Sequence, residues 1–131
     1  NRARGQVGFK IGNDEHVLVL ETDAEFMPGW KEKLAEALKV LPTNYDFLHI
    51  GSCCTEGHPK TNIGGDVYET KHAFCTHAYI VRRACIPFLL KTLRKVWSPI
   101  DIALSMECFP HLNTYVVLPR IVQQMNTLLH P

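Results

Sequence analysis

The chain has 131 residues, with 14 Lys+Arg against 13 Asp+Glu and 46% hydrophobic residues. That length suits one domain with its own core, the hydrophobic fraction excludes a disordered chain, and a net charge of +1 lacks the basic excess of a dedicated nucleic-acid binder. No apolar run approaches the roughly 20 residues that span a bilayer, and the opening stretch NRARGQVGFK carries no apolar signal-peptide segment.

Taken in chain order, the first strong signal is His16-Val17-Leu18-Val19-Leu20, a short apolar run after the turn-like Gly12-Asn13-Asp14. It predicts a strand covered on both faces. Pro28-Gly29 then breaks the chain. From Trp30 to Leu41 the apolar residues Trp30, Leu34, Ala37, Leu38 and Leu41 recur at helical spacing, with Lys31, Glu32, Lys33, Glu36 and Lys39 opposite. Pro42 ends that helix. A second strand is expected over Tyr45-Asp46-Phe47-Leu48-His49-Ile50, closed by Gly51, with Asp46 in a structural role at its start.

Residues 51 to 74 are polar and rich in Gly, Thr and His, longer than ordinary connections, and read as a functional loop. Ala78-Tyr79-Ile80-Val81 predicts a third strand. Ala84 to Trp97 predicts a helix, with Pro87 in its first turn. Ser98-Pro99-Ile100-Asp101 carries an N-cap, a proline at the first helical position and a capping-box acid, opening a helix that runs to about Phe109. Tyr115-Val116-Val117-Leu118 predicts a fourth strand, ended by Pro119. Strands alternating with helices indicate an α/β layered fold.

The five cysteines cannot all pair internally, and the adjacent Cys53-Cys54 suits no common zinc set. Cys85 and Cys108 lie on apolar stretches and read as core residues. A bridge from Cys53 or Cys54 to Cys75 stays open, and with it the compartment, cytoplasm or secretory-pathway lumen. His58 and His72 flank the same loop at spacings too irregular for zinc.

Glu21 and Asp23 are two apart, which in extended chain places both carboxylates on one side. They follow a buried strand, at the edge where open α/β sheets bind ligands. Two convergent carboxylates repel each other, and a divalent cation bridging to a diphosphate relieves that repulsion. Hard oxygen ligands suit Mg²⁺ or Mn²⁺.

The stretch VLVLETDAEFMPGWKEKLAEALKVLPTNYDFLHIG resembles glycosyltransferase family 25, the lipooligosaccharide and collagen galactosyltransferase-like group. Glu21-Thr22-Asp23 stands at the family's E-D-D motif, with Thr22 in place of the central acid. Tyr45 to Gly51 stands at its W-D-x-L-x-L-G strand, Thr76 to Val81 at T-x-A-Y-x-V, Ser98 to Asp101 at P-I-D, and Tyr115 to Gln123 at the strand before P-x-L-V-x-Q. The resemblance covers roughly residues 16 to 124, and no counterpart of the family's N-terminal nucleotide-binding unit precedes residue 16.

It implies a GT-A-like, Rossmann-like mixed sheet flanked by helices. Residues 1–131 then form a single domain or a fragment of one, and the start at Asn1 rather than Met also suggests a processed chain or a fragment. The implied activity is inverting hexosyl transfer, galactosyl or glucosyl, from a nucleotide-sugar such as a UDP-sugar to a glycan or protein hydroxyl, with Mn²⁺ or Mg²⁺ on Glu21 and Asp23. Asp101 is the expected base for the acceptor hydroxyl. Asp66, His77 and Tyr79 are the expected substrate-binding residues. A non-catalytic carbohydrate-binding or interaction module on the same fold is the competing expectation.

Overall fold

The computed structural model describes residues 4–11, 13–51, 62–71, 77–94 and 103–124. The chain order is β1 (Arg4–Ile11), β2 (Asp14–Glu21), β3 (Ala24–Phe26), α1 (Trp30–Val40), β4 (Phe47–His49), β5 (Asn62–Gly64), β6 (Val67–Glu69), β7 (Ala78–Arg82), α2 (Ile86–Leu93), β8 (Thr114–Val117) and β9 (Val122–Gln124). Short helical turns cover Arg83–Cys85, Leu104–Cys108 and Phe109–His111. Seven strands form one sheet in the order β1-β2-β7-β4-β8-β6-β5, and β3 pairs with β9 apart from it. Most pairs are antiparallel, while β4 and β8 run parallel. The fold is therefore mixed α/β, with a mostly antiparallel sheet and few helices.

Each face of the sheet carries its own core. On one, Leu48, Ile50, Ala78, Ile80, Tyr115 and Val117 pack with Ala37 of α1, with Ile121 and with Val122 at the start of β9. On the other, Val17, Val19, Phe47 and Val81 pack with Cys85, Leu89, Leu104, Cys108 and Phe109. The alternation along β2 decides its two contacts. Val17 and Val19 face the α2 side, while Leu18 and Leu20 pack toward α1. Cys85 and Cys108 are buried and free, as their apolar surroundings predict.

Strand β4 has three residues, yet Phe47, Leu48 and the following Ile50 are each 1% exposed or less. Burial of such side chains contributes roughly 1.5–3 kcal/mol each, so this short strand anchors both cores. His49 lies among them with no exposed surface. Its ring sits 4.7 Å from Phe47 and 5.1 Å from Phe109, centroid to centroid. Among the described residues neither ring nitrogen has a hydrogen-bond partner. Burial pushes its pKa down to about 3, so the ring stays neutral.

Several elements differ from the sequence expectation. β1 was not expected, because Gly5 and Gly8 interrupt its pattern. It exists by pairing along its whole length with β2, from Arg4↔Glu21 to Ile11↔Asp14. The polar stretch 51 to 74 is not loop throughout. Asn62–Gly64 and Val67–Glu69 pair as a hairpin that joins the sheet through β8. Its turn places Gly65 where an added Cβ would meet Glu36 O and Val40 Cγ2, both at 3.1 Å, so a glycine lets the hairpin rest on α1. The expected helix 84–97 starts as a tight turn at Arg83 and its α-helical part ends at Leu93. Of the expected helix at 98–109, the segment 98–102 lies outside the described residues, as do Cys53, Cys54, Cys75, His58 and His72.

Asp46 fixes how the central strands meet. Its Oδ1 accepts from Arg82 Nη2 at 2.8 Å, at the end of β7. Its Oδ2 accepts from the Asn113 backbone N–H at 2.9 Å, just before β8. Arg82 Nε also donates to Tyr45 O at 2.7 Å. Replacing Asp46 by Ala leaves a half-buried guanidinium and a backbone N–H without their acceptor. The expected loss is about 3 kcal/mol, read from urea denaturation, with Asp46→Asn losing less because it still accepts from Asn113. A loss within the error of the measurement would contradict the role of Asp46.

Candidate functional site at the sheet edge

Strands β2 and β4 both run antiparallel to β7, so they are parallel to each other, and β8 is parallel to β4. The C-terminal ends of β2, β4 and β8 therefore reach one edge of the sheet. Glu21 ends β2 there. The extended chain expected to carry both acids stops at this point. Thr22 and Asp23 form a turn into β3, so the pair is held at the edge by that turn rather than by strand alternation. Glu21 and Asp23 are half-buried, and Thr22 is exposed. Asp23 Oδ2 accepts from Gln124 Nε2 at 3.1 Å, and Glu25 Oε1 accepts from Gln123 Nε2 at 3.0 Å.

His77 reaches the same edge from the start of β7. Its backbone carbonyl accepts from Glu21 N at 2.9 Å. The imidazole is 2% exposed, and its Nε2 lies 3.4 Å from Val122 O, to which it donates. Burial holds its pKa below the ordinary histidine value. The Val122 carbonyl opposes that shift, the Arg120 charge adds to it, and Glu21 and Asp23 oppose it. A buried, neutral His77 supports the edge from beneath instead of lining an open acceptor surface.

Asp66 occupies the same edge four strands away, in the turn before β6, roughly 19 Å from β2 by strand spacing. It is exposed and has φ 61°. With Glu32, Lys33, Glu36 and Asn62 it lines an open cleft of about 510 Å³ between α1 and the β5–β6 hairpin. Tyr79 is not at the edge. It sits within β7 opposite Val19 and His49, its ring 4.7 Å from Phe47 and nearly parallel to it. It lines an apolar cavity of about 270 Å³ with Leu89, Leu90 and Leu93 on the α2 face. The attraction of one aromatic ring for another draws this side chain into the core. Asp101 lies outside the described residues.

Sequence reasoning missed the segment that joins these residues. Residues 118–124 cross the whole edge. Leu118 N donates to Asp66 O at 3.0 Å, and Ile121 N and Val122 N donate to Ile50 O at 2.8 and 3.0 Å. Val122 O accepts from His77, and Gln124 donates to Asp23. Gly51 is the second omission. A Cβ there would meet Cδ2 and Nε2 of His77 at 2.7 Å, so only glycine leaves room for the imidazole. The glycine after a strand was visible in the sequence; the ring packed on it was not.

The donor chemistry at this edge is hard oxygen from two carboxylates. Among the described residues no group of three or more His, Cys, Asp or Glu side chains is placed to hold a metal ion. A cation held by two carboxylates alone would take its remaining ligands from water and from a phosphate-bearing molecule. Compared with known proteins, the chain matches no family model, no curated protein and no solved structure.

Two predictions follow from this geometry. Gly51→Ala is expected to cost about 1–3 kcal/mol through overpacking against His77. The cost should shrink in a His77→Ala background, where the ring is gone; equal costs in both backgrounds would contradict the contact. The second concerns acid. Burial lowers the pKa of His16, His49 and His77 below the ordinary 6.5. The unfolded chain then binds protons first, so stability is complete above that value and falls as the pH drops toward the folded pKa values. Denaturation midpoints between about pH 7.5 and about pH 5 read this slope, and His49→Leu should flatten it. A midpoint that rises on acidification would reverse the sign.

Proposed function

We propose that this chain is a metal-dependent inverting glycosyltransferase domain that moves a hexosyl group from a nucleotide-sugar, such as a UDP-sugar, to a hydroxyl of a glycan or protein. The observation that carries the reading is the acidic pair Glu21 and Asp23 at the end of β2, on the edge where three parallel strand ends meet. Ligands of open α/β sheets bind outside such strand ends. The resemblance of residues 16 to 124 to glycosyltransferase family 25 supports the same reading, and the GT-A fold belongs to it.

Glu21 and Asp23 would hold Mn²⁺ or Mg²⁺, which when bound acts as a Lewis acid on the departing diphosphate. Inversion needs one in-line displacement, and Asp101 takes the proton of the acceptor hydroxyl as it attacks. Asp66, exposed in its cleft, offers hydrogen-bond acceptors to sugar hydroxyls. His77 fixes the crossing segment against Gly51 by its bond to Val122, and through Gln124 that segment orients Asp23. The second reading, a non-catalytic carbohydrate-binding module on this fold, draws on Thr22, which leaves the acidic turn one carboxylate short of the family motif.

Titration calorimetry with UDP, with and without Mn²⁺, tests the donor site. Two carboxylates alone hold a hydrated cation poorly, so Mn²⁺ should bind weakly without UDP and the two should bind together cooperatively. Asp23→Ala is expected to abolish the cooperation. The same UDP affinity in both proteins, with and without metal, would contradict the donor site. Asp101→Asn separates catalysis from helix capping. It should lower turnover by roughly 10²- to 10⁴-fold while the melting temperature barely moves. Turnover near wild type would remove Asp101 from the mechanism.

A further inference from the structure

The crossing segment 118–124 carries one cationic side chain, Arg120, which makes no hydrogen bond or ion pair among the described residues. The backbone on either side is pinned. Leu118 N is bonded to Asp66 O, and Ile121 N and Val122 N are bonded to Ile50 O. Arg120 is therefore held at the middle of the edge, with Asp66 on one side and Asp23 on the other, while its side chain is exposed. Its charge reaches His77, the same ring that senses Glu21 and Asp23. The guanidinium thus stands within electrostatic range of a group that the acidic pair also addresses. Among the described residues it has no ion-pair partner; the ion pair at the far end of β7 is Arg82 with Asp46.

An edge holding two carboxylates and an exposed guanidinium on a pinned backbone is complementary to a ligand with both features reversed. A phosphate chain with a bound divalent cation is such a ligand. The cation meets the carboxylates, and the oxygens left over meet the guanidinium. Arginine suits this role better than lysine, because its planar fork offers paired N–H donors to phosphate oxygens. We propose that Arg120 binds the diphosphate of the nucleotide donor, opposite the cation held by Glu21 and Asp23. The inference rests on the donor-site reading above and adds its anion-binding residue.

The test measures binding of UDP, pyrophosphate and uridine to the full chain in the presence of Mn²⁺, for wild type, Arg120→Gln and Arg120→Lys. Losing a charge-assisted bond pair should weaken UDP and pyrophosphate by roughly tenfold to a hundredfold in Arg120→Gln. Arg120→Lys should fall between, since it keeps the charge and loses the fork. Uridine, which has no phosphate, should bind all three proteins alike. Because the side chain is exposed, the melting temperatures should match, so a loss of affinity reports on binding. Equal UDP affinity in wild type and Arg120→Gln would overturn the role of Arg120 and leave the donor site standing. Failure of the wild-type chain to bind either phosphate compound would overturn both.

Discussion

One carboxylate holds the centre of the sheet together. Asp46 meets Arg82 of β7 through one oxygen and the backbone of Asn113 through the other. Asp46 N also donates to Asn113 O at 2.8 Å, and Arg82 N donates to Asp46 O at 3.0 Å. The start of β4, the end of β7 and the approach to β8 are thus tied at one point. Strand pairing has a period of two, so a slip by one residue would turn Phe47 and Leu48 into the wrong cores. The polar clamp fixes the register, and the apolar side chains of β4 supply the stabilisation.

That register has a consequence at the opposite end of the strands. With β4 and β8 parallel and in register from Phe47↔Thr114 to His49↔Val116, their C-terminal ends arrive together on the edge that also carries Glu21. The chain then uses residues 118–124 to cover the edge and bond to what each strand delivers. Uncharged donors do this work: the amides of Gln123 and Gln124 and the imidazole of His77.

Much of this was legible in the sequence. The expected runs His16–Leu20, Tyr45–Ile50, Ala78–Val81 and Tyr115–Leu118 each hold a strand, β2, β4, β7 and β8, because each is a short apolar run bounded by a turn signal, and α1 forms because its apolar residues recur at 3.6-residue spacing. β3 and β9 were not legible. Three residues carry no period, and they pair only because the turn at Thr22 and the crossing segment bring them together. β1 was hidden for the same reason, its order coming from β2 and not from its own glycine-bearing sequence. At the site, Glu21, Asp23, Asp66 and His77 lie on one edge, of which the sequence indicated only the place of Glu21 and Asp23 at the end of a strand. Tyr79 does not, because alternation fixes a face but cannot tell that Phe47 waits there. Gly51, Gln124 and Arg120 gain meaning only from partners as far as 101 residues away, a separation beyond any local pattern.

The central claim is that ligands meet this chain at the edge made by Glu21, Asp23, His77 and residues 118–124. Paramagnetic Mn²⁺ added with UDP to the isotope-labelled chain tests it most directly, since the metal broadens the amide signals nearest to it. Selective broadening at residues 20–24, 77–78 and 120–124, with α2 and the Lys10–Ile11 end of β1 left sharp, is the expected result. Broadening centred on the Asp66 cleft or on α2, or spread evenly over the surface, would contradict the assignment.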